Sequence, residues 1–365
     1  MGISIAILLA ALAYLYISDP RYGLTNPVLF MFPILGALVL VVAVTYEMEK
    51  LSMIMKTIFL VSRSRYQESI DTSDKILKSW PEDYGAMYSK AYALNMLNKQ
   101  NEQLELLDQL IEKKSNKTRE MATLNLKANA LLQLKRYDEA GELIEAVFKK
   151  DSKNEDALYN KAVLLSKTSY RQESIKYYED SLKIINEKLL KHGSIFKKIR
   201  RPKNLWDIEL AELLTKKGII HGKLYQYSEA LENFSEALEL NPENSAALNN
   251  KGYTLAKIGQ YEEALKCVNE SIGLYSESVH ALDSKGYILT MMGNPEEALK
   301  FYQKAIEIEP WDEEKYYHKA KAHEKLRQHD MALKCYDKVL ELNPNCQPAK
   351  TAKDRLNGIL SNIIR

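Results

Sequence analysis

The sequence predicts an all-α protein, a solenoid of paired helices preceded by two membrane-spanning helices. Three observations predict this fold. Similar stretches recur at a 34-residue interval over most of the chain, two uncharged apolar runs stand at its beginning, and only 14 glycines and 10 prolines interrupt its 365 residues. A fixed period of this length is typical of repeat architectures, and sparse glycine and proline favour long helices over a turn-rich β fold.

The amino-acid composition argues against several classes of protein. The chain is 46% hydrophobic and 27% charged, which is too apolar for wholesale disorder. Its 51 basic and 49 acidic residues give a net charge of only +2, so it lacks the basic excess of nucleic-acid-binding proteins. The three cysteines, Cys267, Cys335 and Cys346, form no CxxC pair and are interpreted as reduced thiols in a reducing compartment.

The first element is a predicted membrane hairpin over residues 1–49, with spans at about 2–18 and 28–46. Neither run contains a charged residue, and a spanning helix needs about 20 apolar residues. Two other interpretations stay open: a cleaved signal peptide, for which the first run lacks a positive start, and a buried helical pair of a soluble protein. We also expect the second span to continue as one long helix into the first repeat.

Flanking charge predicts the orientation of this hairpin. The turn between the spans contains one basic residue, Arg21, whereas four basic residues follow the second span: Lys50, Lys56, Arg63 and Arg65. Because basic residues stay on the cytoplasmic side, we expect a multi-pass protein of the cell membrane with its solenoid in the cytoplasm.

The second element is the repeat array over residues 50–346. Small or short residues recur in a predicted first helix at Thr57, Ala91, Ala128, Ala162, Gly218, Gly252, Gly286 and Ala320, and in a second helix at Ser69, Gln103, Ala140, Ser174, Ala230, Ala264, Ala298 and Ala332. Paired helices approach closely only where side chains are small, so each small residue is expected to face the partner helix. Prolines at positions 242, 310 and 344 close three of the units.

This pattern resembles the tetratricopeptide repeat (TPR) family, whose 34-residue helix–turn–helix unit has small, aromatic and proline positions in this order. The resemblance covers about Lys50 to Cys346 and implies a right-handed solenoid of about eight repeats. Proteins of this family bind other proteins or peptides on the concave face, which the first helix of each pair forms.

Two further segments interrupt or end the array. One spacing of 56 residues in place of 34 predicts a basic insertion at 189–210, and residues 347–365 predict a C-terminal capping helix. We expect the insertion to contact lipid or another anionic partner; RNA phosphates and a solvated loop are the alternatives. Its candidate residues are Lys191, Lys197, Lys198, Arg200 and Arg201.

No motif of an enzyme is found, so we predict no catalytic residue, no cofactor, no metal and no small-molecule substrate. The helix at His323 lacks the second histidine of a zinc protease. His318, His323 and His329 are not spaced to place three ligands on one helix face, and we interpret them as surface histidines.

The resemblance instead places the candidate binding residues on the first helices. Tyrosine offers rigid contact area with a polar tip, and asparagine can bond both backbone groups of an extended partner. An ordinary solvated helix face is the alternative for each residue. The candidates are Tyr88, Tyr92, Asn125, Asn129, Tyr159, Asn249, Tyr253, His280, Asp283, Tyr287, Tyr317 and Lys321.

These features together predict a membrane-anchored protein-binding scaffold that assembles a protein complex. The alternatives are a non-catalytic subunit of a membrane-bound enzyme or secretion machine, and an RNA-binding helical-repeat protein. Nucleic acid is not expected as a partner.

Overall fold

The computed structural model describes residues 28–113, 115–168, 170–196 and 203–364, with side chains from residue 43 onward except 171, 192–206 and 362–364. Within these ranges there are seventeen helices and no β-strand. The first eight are α1 (Val28–Ser62), α2 (Tyr66–Ser79), α3 (Tyr84–Met96), α4 (Gln100–Glu112), α5 (Lys117–Gln133), α6 (Tyr137–Lys150), α7 (Glu155–Lys167) and α8 (Arg171–Phe196). The others are α9 (Lys203–Lys223), α10 (Tyr227–Leu240), α11 (Ser245–Lys257), α12 (Tyr261–Leu274), α13 (Val279–Met291), α14 (Pro295–Ile308), α15 (Glu313–Lys325), α16 (His329–Leu342) and α17 (Gln347–Ile364).

The helices pack in pairs and form a solenoid, as predicted. Each odd-numbered helix from α1 to α15 except α3 packs most extensively against the even-numbered helix that follows it; α3 packs slightly more against α2, and α17 packs on α16. The starts of α11, α13 and α15 are 34 residues apart, and so are those of α10, α12, α14 and α16. The 34-residue period of the sequence is therefore the period of the structure.

Odd-numbered helices form one wall of the solenoid. Neighbouring odd-numbered helices contact each other directly along most of the array, for example α11 with α13 and α13 with α15. Six of them begin at a side-chain cap that accepts a backbone N–H, which fixes where each helix starts. The caps are Asp83, Asn116, Asn154, Asn244, Ser278 and Asp312.

Small residues allow the two helices of a pair to approach. A Cβ atom on Gly252 would lie 2.8 Å from the backbone oxygen of Ala264, and one on Gly286 would lie 2.6 Å from the ring of Tyr302. The close approach was predicted. At Gly286, however, the nearest atoms belong to an aromatic ring four residues beyond the expected Ala298, because that ring lies flat against the glycine.

In seven of the pairs, the described turn between the two helices places one residue in the left-handed region. Gly259 and Gly293 adopt φ values of 85° and 87°, which glycine tolerates without strain. Five other turns have a side chain at this position with φ between 55° and 63°: Ser64, Asn98, Lys135, Tyr225 and Arg327.

The basic insertion lengthens two helices. α8 has 26 residues and α9 has 21, against 13 or 14 in the later pairs. Residues 189–196 continue α8, residues 203–210 belong to α9, and residues 197–202 lie outside the description.

At the start of the described chain, α1 is one helix of 35 residues, which confirms the predicted continuity into the first repeat. Among the residues with described side chains, no helix is long and apolar enough to cross a membrane. The first predicted span, 2–18, and the side chains of 28–42 lie outside the description. The membrane hairpin thus has no support from the described residues and stays a prediction. On α1, the apolar side chains of Leu51 and Ile58 are exposed to solvent.

Distant repeats also touch, because the solenoid winds back on itself. The turn after α1 meets the loop before α11: Arg63 pairs with Glu243, Ser64 and Ser245 share a hydrogen bond of 2.7 Å, and Asn241 donates to the Ser62 carbonyl at 2.8 Å. The turn after α5 meets the loop before α15 in the same way, where Lys135 pairs with Glu313 and donates to the Trp311 carbonyl at 3.3 Å. Residues about 180 positions apart therefore lie on neighbouring turns of one superhelix.

Candidate protein-binding groove

The candidate site is the inner groove, defined here as the face of the odd-numbered helices α3 to α15 that bears the predicted binding residues. All twelve candidates lie on these helices: Tyr88 and Tyr92 on α3, Asn125 and Asn129 on α5, Tyr159 on α7, Asn249 and Tyr253 on α11, His280, Asp283 and Tyr287 on α13, and Tyr317 and Lys321 on α15. Whether they bind a partner stays a prediction.

An aromatic ridge crosses the C-terminal half of the inner groove. The rings of Tyr253 and Tyr287 are 5.8 Å apart, that of Tyr287 is 6.2 Å from the ring of His318, and that of His318 is 6.3 Å from the ring of Tyr317. Each ring comes from one of the successive helices α11, α13 and α15, so the 34-residue repeat itself builds the ridge. Such a ridge offers flat, half-buried contact area with polar edges.

Lys257 covers one end of this ridge. Its Nζ atom lies 4.7 Å from the ring centre of Tyr253 and 4.4 Å from that of Tyr287, so the ammonium group contacts two ring faces. The signal in the sequence is that Lys257 follows Tyr253 by one helical turn. The sequence analysis did not select it.

Asp283 does not point freely into the inner groove, because His318 binds it. The Nδ1 atom of His318 lies 2.9 Å from one carboxylate oxygen of Asp283 and 3.0 Å from the other. Burial lowers the pKa of His318, but the neighbouring Asp283 carboxylate raises it by more, so the pKa lies above its usual value. The pair is therefore an ion pair at mildly acidic pH.

The N-terminal half of the inner groove holds stacked tyrosines. The rings of Tyr84 and Tyr88 stack at 5.7 Å, and both Tyr88 and Tyr92 pack against the core of α3 and α4. Burial raises the pKa of Tyr88, Tyr92 and Tyr159, in the last case to about 12, so all three remain neutral.

An ion pair links the helices on either side of the insertion. Lys216 of α9 pairs with Asp156 of α7, although 60 residues separate them. Burial opposes ionisation of both groups, but each partner outweighs it, so the pKa of Asp156 is lowered and that of Lys216 is raised. This pair closes the gap that the insertion leaves between two repeats.

The asparagines of the inner groove are more buried than expected. Asn125 donates to the Asn154 side chain at 2.8 Å, and Asn129 accepts from Gln133 at 3.1 Å. Asn249 is 8% exposed, and within the described residues its Oδ1 atom has no hydrogen-bond partner. A buried amide oxygen without a donor is costly, and this one is closed off from solvent.

The remaining candidates are scattered. His280 is exposed, and Lys321 pairs with Glu324 at 3.4 Å. In the insertion, Lys191 is exposed, whereas Lys197, Lys198, Arg200 and Arg201 lie outside the described residues. The interpretation of His323 as a surface residue was wrong, because it is 5% exposed and bonds Gln328 at 2.7 Å. Among the described residues no group of side chains could hold a metal ion.

Comparison with protein families identifies the repeats. Family profiles of the tetratricopeptide repeat match residues 211–244, 233–266, 284–312 and 314–346. The profile of the coatomer epsilon subunit matches residues 90–192. No curated protein matches the sequence.

One solved structure supports the fold. The chain is similar to a chain in the crystal structure of the APC/C hetero-tetramer Cut9–Hcn1, with a TM-score of 0.56 and 14% identity; the match covers 83% of this chain but only 55% of that one. It also matches YrrB, a TPR protein with an unusual peptide-binding site, with a TM-score of 0.36, 20% identity, and coverage of 58% and 97%. The second score is too low to support an argument. This chain therefore carries tetratricopeptide repeats within an all-helical solenoid.

Proposed function

We propose that this protein is a non-catalytic scaffold that binds an extended segment of another protein along its inner groove. The observation that carries the proposal is the aromatic ridge of Tyr253, Tyr287, His318 and Tyr317, which the repeat sets across three successive helices. Tyrosine-rich surfaces bind peptides well, because the rings lose little conformational entropy on binding.

Asn249 supports an extended partner in particular. Its unpaired Oδ1 atom lies on α11, one helical turn before Tyr253, and would accept a backbone N–H from a segment that crosses the ridge once the side chain turns toward the groove. An extended segment exposes such N–H groups, whereas a helix satisfies them internally.

The two matches outside the repeat profiles favour a role in a multi-protein assembly. One profile belongs to a coatomer subunit and the similar crystal structure is a hetero-tetramer. We propose that this chain likewise holds protein partners together, with residues 90–192 as part of the binding array.

We further propose that residues before 47 anchor this scaffold to the cytoplasmic face of the cell membrane. The two uncharged runs, 2–18 and 28–46, and the basic residues that follow them support this proposal. The unbroken α1 helix would then join the anchor rigidly to the first repeat.

Substitution of both ridge tyrosines, Tyr253→Ala with Tyr287→Ala, tests the binding proposal. The tagged full-length variant is purified by affinity from its native cells, and the recovered partners are quantified against the wild type. We expect the recovery of stoichiometric partners to fall by about tenfold or more, because a tyrosine buried in an interface often contributes about 2 kcal/mol of binding free energy. The matched control is Tyr170→Ala with Tyr225→Ala, two tyrosines that are 60% and 63% exposed in turns. Equal recovery from the two variants would contradict the proposal.

Deletion of residues 1–46 tests the anchor. The intact chain is expected in the membrane fraction after carbonate washing, and the shortened chain in the supernatant with its thermal unfolding retained. Membrane recovery that is unchanged by the deletion would overturn the anchor while leaving the groove proposal intact.

A further inference from the structure

Lysines occupy equivalent positions on three successive first helices of the inner groove and are named here the lysine ladder: Lys167, Lys223 and Lys257. Lys325 holds the same position on α15, and Met291 on α13 separates it from this row. The lysines of the ladder end the first helices α7, α9 and α11. Each follows the small packing residue of its helix by five positions, namely Ala162, Gly218 and Gly252. The repeat therefore sets the three side chains in one row.

The lysine ladder differs from the other lysines of the inner groove in having no acidic partner. Lys216 pairs with Asp156, and Lys321 pairs with Glu324. Across the residues that the structure describes, none of the three ladder ammonium groups lies within 4.0 Å of a carboxylate oxygen. The row is an array of uncompensated positive charges.

The side chains of the lysine ladder are exposed to solvent. Burial lowers the pKa of Lys223; Glu314 opposes this effect, and Lys167 adds to it. Lys257 rests on the faces of Tyr253 and Tyr287, which hold its ammonium group at the surface of the aromatic ridge. Asp283 is already bound to His318, and Glu314 is the acid beside Lys223.

A lysine in the last turn of a helix also stabilises that helix through its dipole. This effect explains why a lysine is favourable at the end of each of these helices. It does not explain why the ammonium group of Lys257 is seated on two rings of the candidate binding ridge.

We propose that the lysine ladder binds acidic side chains of the extended partner segment, which makes an acidic peptide the preferred ligand of the inner groove. This inference rests on the proposed function. Packed helices lie about 8–10 Å apart, and an extended polyproline II segment rises about 3.1 Å per residue with three residues per turn, so that every third side chain lies on one face. A partner with an acidic residue at every third position therefore matches the step from Lys223 to Lys257.

An acidic peptide suits this surface better than a nucleic acid. The chain as a whole carries 51 basic and 49 acidic residues. Glu314 lies near Lys223, where it would repel a continuous row of phosphates. A peptide can place separate carboxylates on the lysines and a neutral residue opposite Glu314.

The test uses two fluorescein-labelled peptides of twelve residues, one with glutamate at every third position and one with glutamine there. Binding to the purified full-length chain is followed by fluorescence anisotropy at low salt. We expect the glutamate peptide to bind about tenfold more tightly than the glutamine peptide, since each ion pair contributes a factor of about two to five. The variant Lys167→Gln/Lys223→Gln/Lys257→Gln should remove this preference.

The control is Lys266→Gln/Lys304→Gln/Lys334→Gln, which removes three exposed lysines from α12, α14 and α16. It should keep the preference. If the two peptides bind equally, or if neither binds, the lysine ladder is not an acidic-peptide site. If the two peptides bind the wild type equally and the variant Tyr253→Ala/Tyr287→Ala binds neither, the proposed groove function is supported and only the proposal for the lysine ladder is wrong. Tighter, ladder-dependent binding of a twelve-nucleotide oligouridine would overturn the peptide as partner.

Discussion

Single residues in the inner groove owe their properties to neighbours from other repeats. Asp283 of α13 is compensated by His318 of α15, and Asp156 of α7 by Lys216 of α9. Asp283 was predicted from the sequence as a candidate binding residue, and His318 was interpreted as a surface histidine. Pairing across repeats depends on side-chain directions, which a single sequence does not reveal. The residue type and the face were predictable, but the partner was not.

The pair of His318 and Asp283 predicts a pH dependence. The folded protein raises the pKa of His318 above its unfolded value near 6.5. The stabilisation is therefore fully present below that unfolded pKa and is lost as pH rises through the folded pKa. We expect the difference in Tm between the wild type and Asp283→Asn to be largest near pH 5.5 and to shrink toward pH 8.

The matched variant is His318→Gln, which removes the titrating group itself. Its Tm should change less than that of the wild type over the same pH range. A difference between wild type and Asp283→Asn that grows with rising pH would show that the pair does not titrate in this way.

At the level of elements, the small-residue positions set how closely the two helices of each pair approach. The predicted small residues are fully buried at Ala230, Ala264, Ala298 and Ala332. Gly286 has no room for a methyl group beside Tyr302, whereas Gly273, on the exposed side of α12, has nothing within 4 Å of its added Cβ. The sequence therefore predicts where helices touch, although the facing aromatic rings emerge only from the structure.

This contrast predicts opposite outcomes for the same substitution. Gly286→Ala should destabilise the protein by about 1–3 kcal/mol through overpacking, while Gly273→Ala should stabilise α12 by up to about 1 kcal/mol through helix propensity. Chemical denaturation followed by circular dichroism measures both. If the two variants were destabilised by a similar amount, the close approach of Tyr302 would not be the reason that position 286 requires glycine.

The whole molecule is a superhelix whose successive turns touch. The contacts between Arg63 and Glu243 and between Lys135 and Glu313 join residues about 180 positions apart. The repeat period was readable from the sequence, but these contacts were not. They depend on the rotation from each repeat to the next, which accumulates over the array, and on the lengthened α8 and α9.

The charge reversal Arg63→Glu tests the contact between turns. Repulsion from Glu243 should separate the turns and increase the radius of gyration measured by small-angle X-ray scattering. Stability should fall by about 1 kcal/mol or less, since both side chains are partly exposed. The double variant Arg63→Glu/Glu243→Arg should restore the wild-type radius. The control Arg136→Glu, whose partner Glu139 lies on the same helix, should leave the radius unchanged.

The central claim is that partners bind on the inner groove, and site-specific photo-crosslinking tests it most directly. A benzophenone amino acid is placed in living cells at Tyr253, Tyr287 or Tyr317 of the inner groove, and at Lys266, Lys304 or Lys334 on the even-numbered helices. If partners bind on the inner groove, the three groove positions should form the same protein adducts and the three positions on the even-numbered helices should form none. Adducts that form equally from both sets, or only from the even-numbered helices, would contradict it.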